Sequence, residues 1–325
     1  MSRVVVAGGA GFVGSHLCDA LLSRGDEVVC LDDLSTGRRH NLADAMGDDR
    51  FELVVADVSR EVPVDGRVDA VCHLASPASP PAYLRRPLET LAVGSEGTRR
   101  LLELAATHRA RFLLASTSEI YGDPLVHPQT ESYRGNVDPT GPRSVYDEAK
   151  RFAEAMTMAW RRTHDVDTAI ARIFNTYGPR LSPGDGRVVS NFVVQALEGR
   201  PLTVYGDGSQ TRSLCYVDDQ VRGLLALLDA DEPGPVNIGN PDERTVLELA
   251  DKVKELTKSA SPVVFEPLPT DDPTRRCPDI TLARQSLRWA PEVGLDDGLR
   301  RTIEHFAAQR HPGTTAGTIV GGAGG

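Results

Sequence analysis

The sequence predicts an α/β fold: a doubly wound parallel sheet with a smaller C-terminal substrate-binding lobe. Short β-branched runs alternate with segments of helical periodicity, and the first run leads straight into a glycine-rich turn. Further along, shorter segments separated by Pro and Gly replace this alternation. We therefore predict a sheet domain over residues 1–175, rejoined by about residues 214–240, and a lobe built from residues 176–213 and 241–310.

The first strand and helix carry a phosphate-binding pattern. Residues 3–8 form a β-branched run and residues 12–24 have helical periodicity, with Gly8, Gly11 and Gly14 spaced as G-x-x-G-x-x-G. Glycines at such a turn let the backbone approach a pyrophosphate at the helix N-terminus. A plain tight turn is the alternative, but the strand–turn–helix context favours a dinucleotide site.

The second predicted strand, residues 27–33, ends in acid. Asp32 stands about twenty residues beyond the glycines, where a carboxylate accepts hydrogen bonds from the adenosine ribose hydroxyls. The same carboxylate repels a 2′-phosphate, so the pattern favours NAD over NADP. Arg38 and Arg39 follow closely, and their positive charges would instead favour the 2′-phosphate of NADP.

The third and fourth predicted strands, residues 51–57 and 69–75, also end near the expected cofactor. Asp57 and Val58 follow the third strand and are expected to contact adenine. The Ala/Ser/Pro run at residues 75–80 is expected to pass close to the cofactor as a loop.

Polar residues follow the fifth predicted strand, residues 111–116. Thr117, Ser118 and Glu119 lie there within STSEIYG, at the edge where ligands bind in doubly wound sheets. The other elements that we predict are helices at residues 88–108 and 217–228 and strands at residues 167–173 and 236–239.

A helix over residues 144–154 places Tyr146 and Lys150 four residues apart on one face. An ammonium group beside a phenol favours the ionised phenol and lowers its pKa, so the tyrosine can accept a proton from a sugar hydroxyl. Taken alone, the pair also fits a half-buried tyrosine beside a solvated lysine.

Composition limits the partners. The chain has 325 residues and a formal net charge of −10, which disfavours nucleic acid and anionic membranes. Five cysteines, an odd number without CxxC spacing, predict reduced thiols in a cytoplasmic protein and no metal site. We identify no signal peptide and no membrane-spanning run, and we predict a disordered tail over residues 311–325.

Taken together, GxxGxxG, STSEIYG and Tyr146-x-x-x-Lys150 resemble the extended short-chain dehydrogenase/reductase family, and within it the UDP-glucuronate decarboxylases. The resemblance extends to about residue 310 through HLASPASP, FNTYGPR, DGRVVSNFVVQAL, TVYGDGSQTRS, GPVNIGNPDE and RRCPDI. It implies a Rossmann domain, NAD as a recycled cofactor, conversion of UDP-glucuronate to UDP-xylose, and a homodimer formed through helices at residues 88–108 and 144–163.

The resemblance also implies a reaction course. Oxidation at carbon 4 of the sugar gives a β-keto acid, which loses CO₂ because the ketone accepts the electron pair; protonation at carbon 5 and return of the hydride complete the cycle. Tyr146 is the implied base, Lys150 holds the nicotinamide ribose, and Thr117 contacts the reacting oxygen. Ser118 and Glu119 lie near carbon 5 and the leaving carboxylate.

The implied ligand contacts form two sets. Cofactor-binding residues are Gly8, Gly11, Phe12, Val13, Asp32, Asp57, Val58, Leu74, Ala75, Tyr146 and Lys150. Substrate-binding residues are Asn175, Arg187, Val188, Tyr205, Gln210, Arg212 and Arg276, the last also catalytic. Arg275 competes with Arg276, which we choose from its spacing before Pro278-Asp279. The sequence departs from the family's pattern at two positions. We expect a glycine where Ala149 stands and a basic or polar residue where Cys277 stands.

Three alternatives stay open. A 4,6-dehydratase requires Asp-Glu after the threonine, whereas this chain has Ser118-Glu119. A 4-epimerase commonly lacks the glutamate. A non-catalytic NAD(H)-binding sensor on the same fold usually loses the tyrosine or the lysine, and both are present here.

Overall fold

The computed structural model describes residues 1–268 and 275–310, so the predicted tail at residues 311–325 lies outside the described residues. The strands are β1 Arg3–Ala7, β2 Glu27–Leu31, β3 Phe51–Val54, β4 Ala70–His73, β5 Arg111–Thr117, β6 Thr168–Ile173, β7 Thr176–Tyr177, β8 Leu202–Tyr205, β9 Thr211–Ser213, β10 Cys215–Tyr216, β11 Val236–Ile238, β12 Glu243–Thr245 and β13 Val263–Glu266. The helices are α1 Phe12–Ser23, α2 Pro80–Arg85, α3 Pro87–Ala92, α4 Thr98–His108, α5 Ser144–His164, α6 Val188–Leu197, α7 Val217–Asp229, α8 Val246–Thr257, α9 Thr281–Leu287 and α10 Leu295–Arg310.

Seven parallel strands form the central sheet in the order β11-β6-β5-β4-β1-β2-β3. The direction of strand succession reverses between β1 and β4, which opens a crevice at the carboxyl ends of these two strands. The predicted doubly wound α/β fold is confirmed.

Helices cover both faces of the sheet because successive strand residues point to opposite sides. Val4 and Val6 of β1 belong to a core that includes Leu17 of α1 and Leu224 of α7. The intervening Val5 belongs to a second core, with residues of α4 and α5. All of these side chains are fully buried, so the strands read as unbroken apolar runs.

The helix predicted over residues 88–108 is interrupted. A π-helical segment, Val93–Gly97, lies between α3 and α4. Gly94 packs on α5, where a Cβ added to it would lie 2.7 Å from the Ala149 Cβ. Close packing at Gly94 therefore depends on the small side chain of Ala149.

Small strand pairs follow the Rossmann core: β7 pairs with β10, β8 with β13, and β9 with β12 in antiparallel fashion. Strand β11 instead returns to the central sheet beside β6. The division into domain and lobe stays a prediction. Within residues 1–268 and 275–310, none of the helices has the length and apolar character needed to cross a bilayer.

Candidate active site

A cavity of about 610 Å³ lies at the carboxyl edge of the sheet. It is bordered by the glycine turn, the end of β2, the loop after β4, the end of β5 and the start of α5. Every residue predicted to bind the cofactor lines this cavity: Gly8, Gly11, Phe12, Val13, Asp32, Asp57, Val58, Leu74, Ala75, Tyr146 and Lys150. Chain segments far apart in sequence therefore meet at one cavity, and their contacts with the cofactor stay predictions.

The glycine turn has no space for side chains. Gly8 has a φ of +83°, and a Cβ built on it would lie 2.5 Å from the Ala75 backbone nitrogen. A Cβ on Gly14 would lie 2.1 Å from the Gly8 carbonyl oxygen. Bare backbone at a helix N-terminus is suited to the pyrophosphate of a dinucleotide, so the turn fits such a cofactor.

Asp32 faces the same cavity from the end of β2. Its carboxylate accepts hydrogen bonds from the backbone nitrogens of Ala10 (3.0 Å) and Leu34 (2.8 Å). Burial raises the pKa of Asp32, and these two bonds oppose the rise. Arg38 also lines the cavity but donates to the Ser182 hydroxyl at 3.0 Å.

Lys150 lines the cavity and is almost fully buried. Its Nζ donates to the Ala115 carbonyl oxygen at 2.8 Å and lies 5.9 Å from the centroid of the Tyr146 ring. Burial lowers the Lys150 pKa to about 8. The ammonium is therefore held by the sheet, below the tyrosine ring.

The Tyr146 pKa differs from our expectation. Burial raises it to about 12, against the opposing effects of the Arg187 charge and the Thr117 hydroxyl. We predicted that Lys150 would lower this pKa, but the lysine bonds to the Ala115 carbonyl and desolvation of the phenol dominates. In this environment the phenol is a proton donor at neutral pH and requires added positive charge to act as a base.

Tyr83 is a neighbour of Tyr146 that the sequence analysis missed. The two rings stack with centroids 5.2 Å apart and planes 5° apart, and Tyr83 is fully buried. Tyr83 comes from α2, which lies in a stretch with no recognised motif. Its packing fixes the plane of the Tyr146 ring.

Thr117, Ser118 and Glu119 line the cavity at the end of β5, as predicted. The Thr117 hydroxyl accepts from the Glu119 backbone nitrogen at 3.2 Å, which caps the 3₁₀ turn Ser118–Tyr121. Together the strand end and the turn direct the Glu119 side chain toward α5.

Glu119 forms ion pairs with two guanidinium groups. Arg143 Nη2 donates to Glu119 Oε2 at 2.7 Å, and Arg276 Nη1 donates to Glu119 Oε1. Arg276 Nη2 also donates to the Gly122 carbonyl oxygen at 3.3 Å. The arginine charges lower the Glu119 pKa to about 2 despite its burial, so this carboxyl is ionised at neutral pH.

A second cavity of about 310 Å³ lies behind Glu119, and Arg276, Arg143 and Asp147 line it. Asp147 is buried, and its Oδ1 has no hydrogen-bond partner among the described residues. Burial, reinforced by the charge of Glu119, raises the Asp147 pKa to about 7. We did not predict Asp147, although it directly follows Tyr146.

The predicted substrate residues divide into two groups. Asn175 and Arg187 line the main cavity, and Arg187 donates to the Ala78 carbonyl oxygen at 2.9 Å. The others do not line that cavity. Val188 is the first residue of α6, Tyr205 is the last residue of β8, and Arg212 lies in β9. Gln210 donates to the Tyr205 carbonyl oxygen, and Arg276 lines the second cavity. Their substrate contacts stay predictions.

Three further arginines line the main cavity, Arg85, Arg86 and Arg180. Arg180 ends the FNTYGPR run, but we did not predict a role for it, and Arg85 and Arg86 lie outside the quoted runs. Guanidinium groups at such a cavity are suited to anionic ligands because each offers a planar set of donors.

Comparisons with known proteins agree with this geometry. Residues 4–239 match the model of the NAD dependent epimerase/dehydratase family. The chain is 52% identical over 304 residues to UDP-glucuronic acid decarboxylase 1 of Arabidopsis thaliana, covering 94% of this chain and 69% of the relative. It is 50% identical to UDP-glucuronic acid decarboxylase 1 of Danio rerio, covering 94% of this chain and 73% of the relative.

The fold also has solved counterparts. UDP-glucuronic acid 4-epimerase from Bacillus cereus, crystallised with UDP-glucuronic acid and NAD, superposes with a TM-score of 0.83 at 27% identity. The match covers 94% of this chain and 99% of that one. The family match spans most of the chain, and the glycine turn, Asp32, Tyr146 and Lys150 lie within it. The chain therefore belongs to the NAD-dependent epimerase/dehydratase family.

Proposed function

We propose that the chain is an NAD-dependent UDP-glucuronate decarboxylase, a carboxy-lyase that forms UDP-xylose through a 4-keto sugar. Two decarboxylases so named are half identical to it over 94% of its length. The structurally similar 4-epimerase, which binds the same UDP-glucuronic acid, is only 27% identical. Similarity in sequence therefore favours decarboxylation over 4-epimerisation.

The observation that carries the proposal is the Glu119–Arg276 pair at the active-site edge. Arg276 is 4% exposed, and its Nε has no hydrogen-bond partner among the described residues. A buried guanidinium with an unused N–H is suited to bind a carboxylate, because that N–H can donate a hydrogen bond to it. Glu119 lines both cavities, the main one with Tyr146 and the second with Arg276, so we place the substrate carboxylate at Glu119, where the two cavities adjoin.

We assign the oxidation step to Tyr146. It accepts the proton of the carbon-4 hydroxyl, while Thr117 donates to the same oxygen. NAD, which the glycine turn, Asp32 and Lys150 would hold, would supply the acceptor for the carbon-4 hydride, give that hydride back to carbon 4 and add positive charge beside the phenol. Because burial raises the Tyr146 pKa to about 12, that charge is required before the phenol can ionise near neutral pH.

Loss of CO₂ and protonation of carbon 5 follow at the Glu119 side. The carbon–carboxylate bond breaks, and its electron pair moves into the carbon-4 ketone, whose oxygen is stabilised by Tyr146 and Thr117. We assign to Arg276 the binding of the departing carboxylate. Glu119, ionised by its two arginines, positions Arg276 and is not itself the acid at neutral pH, so carbon 5 takes its proton from solvent water.

The proposal is tested by product analysis. UDP-glucuronate labelled with ¹³C at the carboxylate is incubated with enzyme and substoichiometric NAD, and products are followed by NMR and mass. We expect labelled CO₂ and UDP-xylose in equal amounts, with several turnovers per NAD. Formation of UDP-galacturonate with the label retained would identify an epimerase, and no turnover despite NAD binding would favour a sensor.

We also propose that the chain forms a homodimer through the helices predicted at residues 88–108 and 144–163, which correspond to α3, α4 and α5. Four apolar side chains on and beside these helices are exposed: Leu84, Leu88, Leu91 and Phe152. Contact with a second copy would bury them. Sedimentation should give a dimer for the wild type and a monomer for Leu88→Glu, whereas Leu125→Glu, an equally exposed leucine in a loop, should remain dimeric.

The cytoplasmic location stays a prediction, resting on the odd, widely spaced cysteines. All five are free and buried in the structure. Fractionation of cells that express the chain with its native termini would test it, and recovery with a membrane or secreted fraction would contradict it.

A further inference from the structure

A cluster of metal-ligating side chains lies outside both cavities. It consists of His127, Glu243 and Cys277, and one ligand atom of each lies within 4.8 Å of the other two. His127 Nε2 is 3.1 Å from Glu243 Oε2. The three residues come from separate segments: the loop after β5, the start of β12, and the segment that follows Arg276.

The backbone around the cluster is held rigidly. Gln129 is fully buried, and its backbone nitrogen donates to the Cys277 carbonyl oxygen at 2.8 Å. The Cys277 nitrogen donates back to Gln129 Oε1 at 2.9 Å. These bonds tie the His127 loop to the Cys277 segment. The Thr211 hydroxyl donates to Glu243 Oε1 and leaves Oε2 to face His127.

Ser213 supplies a second, independent observation. It lies directly opposite Glu243 in the β9–β12 pair, so both side chains share one face of the ribbon. It is 1% exposed, its hydroxyl lies beside the Cys277 thiol, and its Oγ has no hydrogen-bond partner other than that thiol among the described residues. A buried hydroxyl of this kind is available to a bound ion or to its water ligand.

The charges around the cluster favour a cation. Asp242, Glu243 and Asp279 all act on Cys277 with negative charge. Two nearby arginines are paired: Arg276 bonds to Glu119, and Arg244 bonds to Asp242 at 2.9 Å, which partly offsets the charge of Asp242. His127 and Glu243 are partly exposed, which gives an ion access from solvent, while Cys277 closes the buried side.

We propose that His127, Glu243 and Cys277 bind one thiophilic divalent cation of the Zn²⁺ class, with water or Ser213 as the fourth ligand. Thiolate, imidazole and carboxylate form a ligand set suited to Zn²⁺, whereas Mg²⁺ and Ca²⁺ select oxygen ligands. The three ligand atoms, which lie within 4.8 Å of one another, would move inward to reach tetrahedral spacing around the ion. This proposal replaces our expectation of no metal site, which rested on CxxC spacing and could not detect ligands from three distant segments.

Bound metal would fix the chain next to Arg276. Cys277 follows Arg276 directly, so cross-linking Cys277 to the His127 loop and to β12 restricts the backbone that carries the guanidinium. The site has a structural role, because it lies outside the main cavity and its lining. Metal binding can therefore be tested without reference to the proposed reaction.

The experiment uses untagged full-length protein, stripped with chelator and titrated with Co²⁺ and Zn²⁺. We expect one Co²⁺ per chain with a thiolate-to-cobalt charge-transfer band, displaced by Zn²⁺. Cys277→Ser should abolish the band, and Cys277→Ser and His127→Gln should each weaken Zn²⁺ binding by more than about 100-fold, the upper end of the cost of losing an outer-shell partner. His164→Gln, an exposed histidine on α5, should leave both unchanged.

Circular dichroism and NAD binding verify that each variant is folded. If Cys277→Ser fails to fold, His127→Gln provides the same test from the exposed side of the cluster. Absence of the charge-transfer band in the wild type would overturn the proposal. So would unchanged Zn²⁺ affinity in the folded ligand variants, which would show that the metal binds elsewhere on the surface.

Discussion

Replacing Glu119 by Gln tests the electrostatic design of the site. In the wild type, the charges of Arg276 and Arg143 lower the Glu119 pKa from 4.5 to about 2. At about 1.4 kcal/mol per pKa unit, this corresponds to roughly 3 kcal/mol of stabilisation at pH 7. The substitution keeps the shape of the side chain but leaves a buried guanidinium without its anion, a loss of about 3–5 kcal/mol when one partner of a buried pair is removed.

The pH dependence has a defined sign. A carboxyl whose folded pKa is lowered stabilises the fold above its unfolded pKa and loses that contribution as the pH falls toward its folded pKa. The difference in unfolding free energy between wild type and Glu119→Gln should therefore narrow from about 3 kcal/mol at pH 7 to about 2 kcal/mol at pH 3.5.

Urea denaturation followed by circular dichroism measures both quantities. Glu148→Gln is the matched control, because Glu148 Oε1 lies 3.4 Å from Arg151 Nε and both side chains are more than one third exposed. It should cost less than about 1 kcal/mol. A loss below about 1 kcal/mol for Glu119→Gln at pH 7, or a difference that widens as the pH falls, would show that the Arg276 and Arg143 charges do not stabilise the Glu119 carboxylate.

Three further substitutions test separate parts of the site. Tyr146→Phe should retain NAD binding and the stacking on Tyr83 but lower kcat by about 10²–10⁴-fold, which steady-state kinetics would measure; near-normal turnover would exclude Tyr146 as the base. Gly8→Ala should weaken NAD binding by more than about tenfold and destabilise the fold by about 1–3 kcal/mol, because the new Cβ meets the Ala75 backbone at a φ of +83°; unchanged calorimetric affinity would contradict this. Asp147→Asn should stabilise the chain more at pH 8 than at pH 3.5. A carboxyl whose folded pKa is raised to about 7 lowers the free energy of unfolding as the pH rises from 3.8 through 7, and the substitution removes this loss. Equal effects at the two pH values in urea melts would show that Asp147 titrates normally.

Sequence pattern predicted the features that depend on short-range spacing. The strands of the central sheet, the glycine turn and the Tyr146–Lys150 helix follow from periodicity of 2 or 3.6 residues and from glycine placement. Asp32 was predicted from its place at the end of the second strand, about twenty residues beyond the glycines. Such features need no knowledge of how distant segments pack.

Other features depend on tertiary packing and left no local signal. Arg276 meets Glu119 from 157 residues away along the chain, and its residue type alone did not reveal which group it contacts. The stacking of Tyr83 on Tyr146 and the π segment at Gly94 arise where α2 and α3 cross α5. The raised Tyr146 pKa was missed because desolvation by the fold outweighs a neighbouring charge.

The proposed reaction requires a transient ketone beside Tyr146, which causes the sugar carboxylate to leave as CO₂ before carbon 5 is protonated. The most direct test is the reaction of UDP-glucuronate in D₂O with substoichiometric NAD, with the product analysed by NMR. We expect UDP-xylose carrying one deuterium at carbon 5 and its original hydrogen at carbon 4. A product that keeps its carboxylate and acquires no deuterium at carbon 5 would contradict the claim.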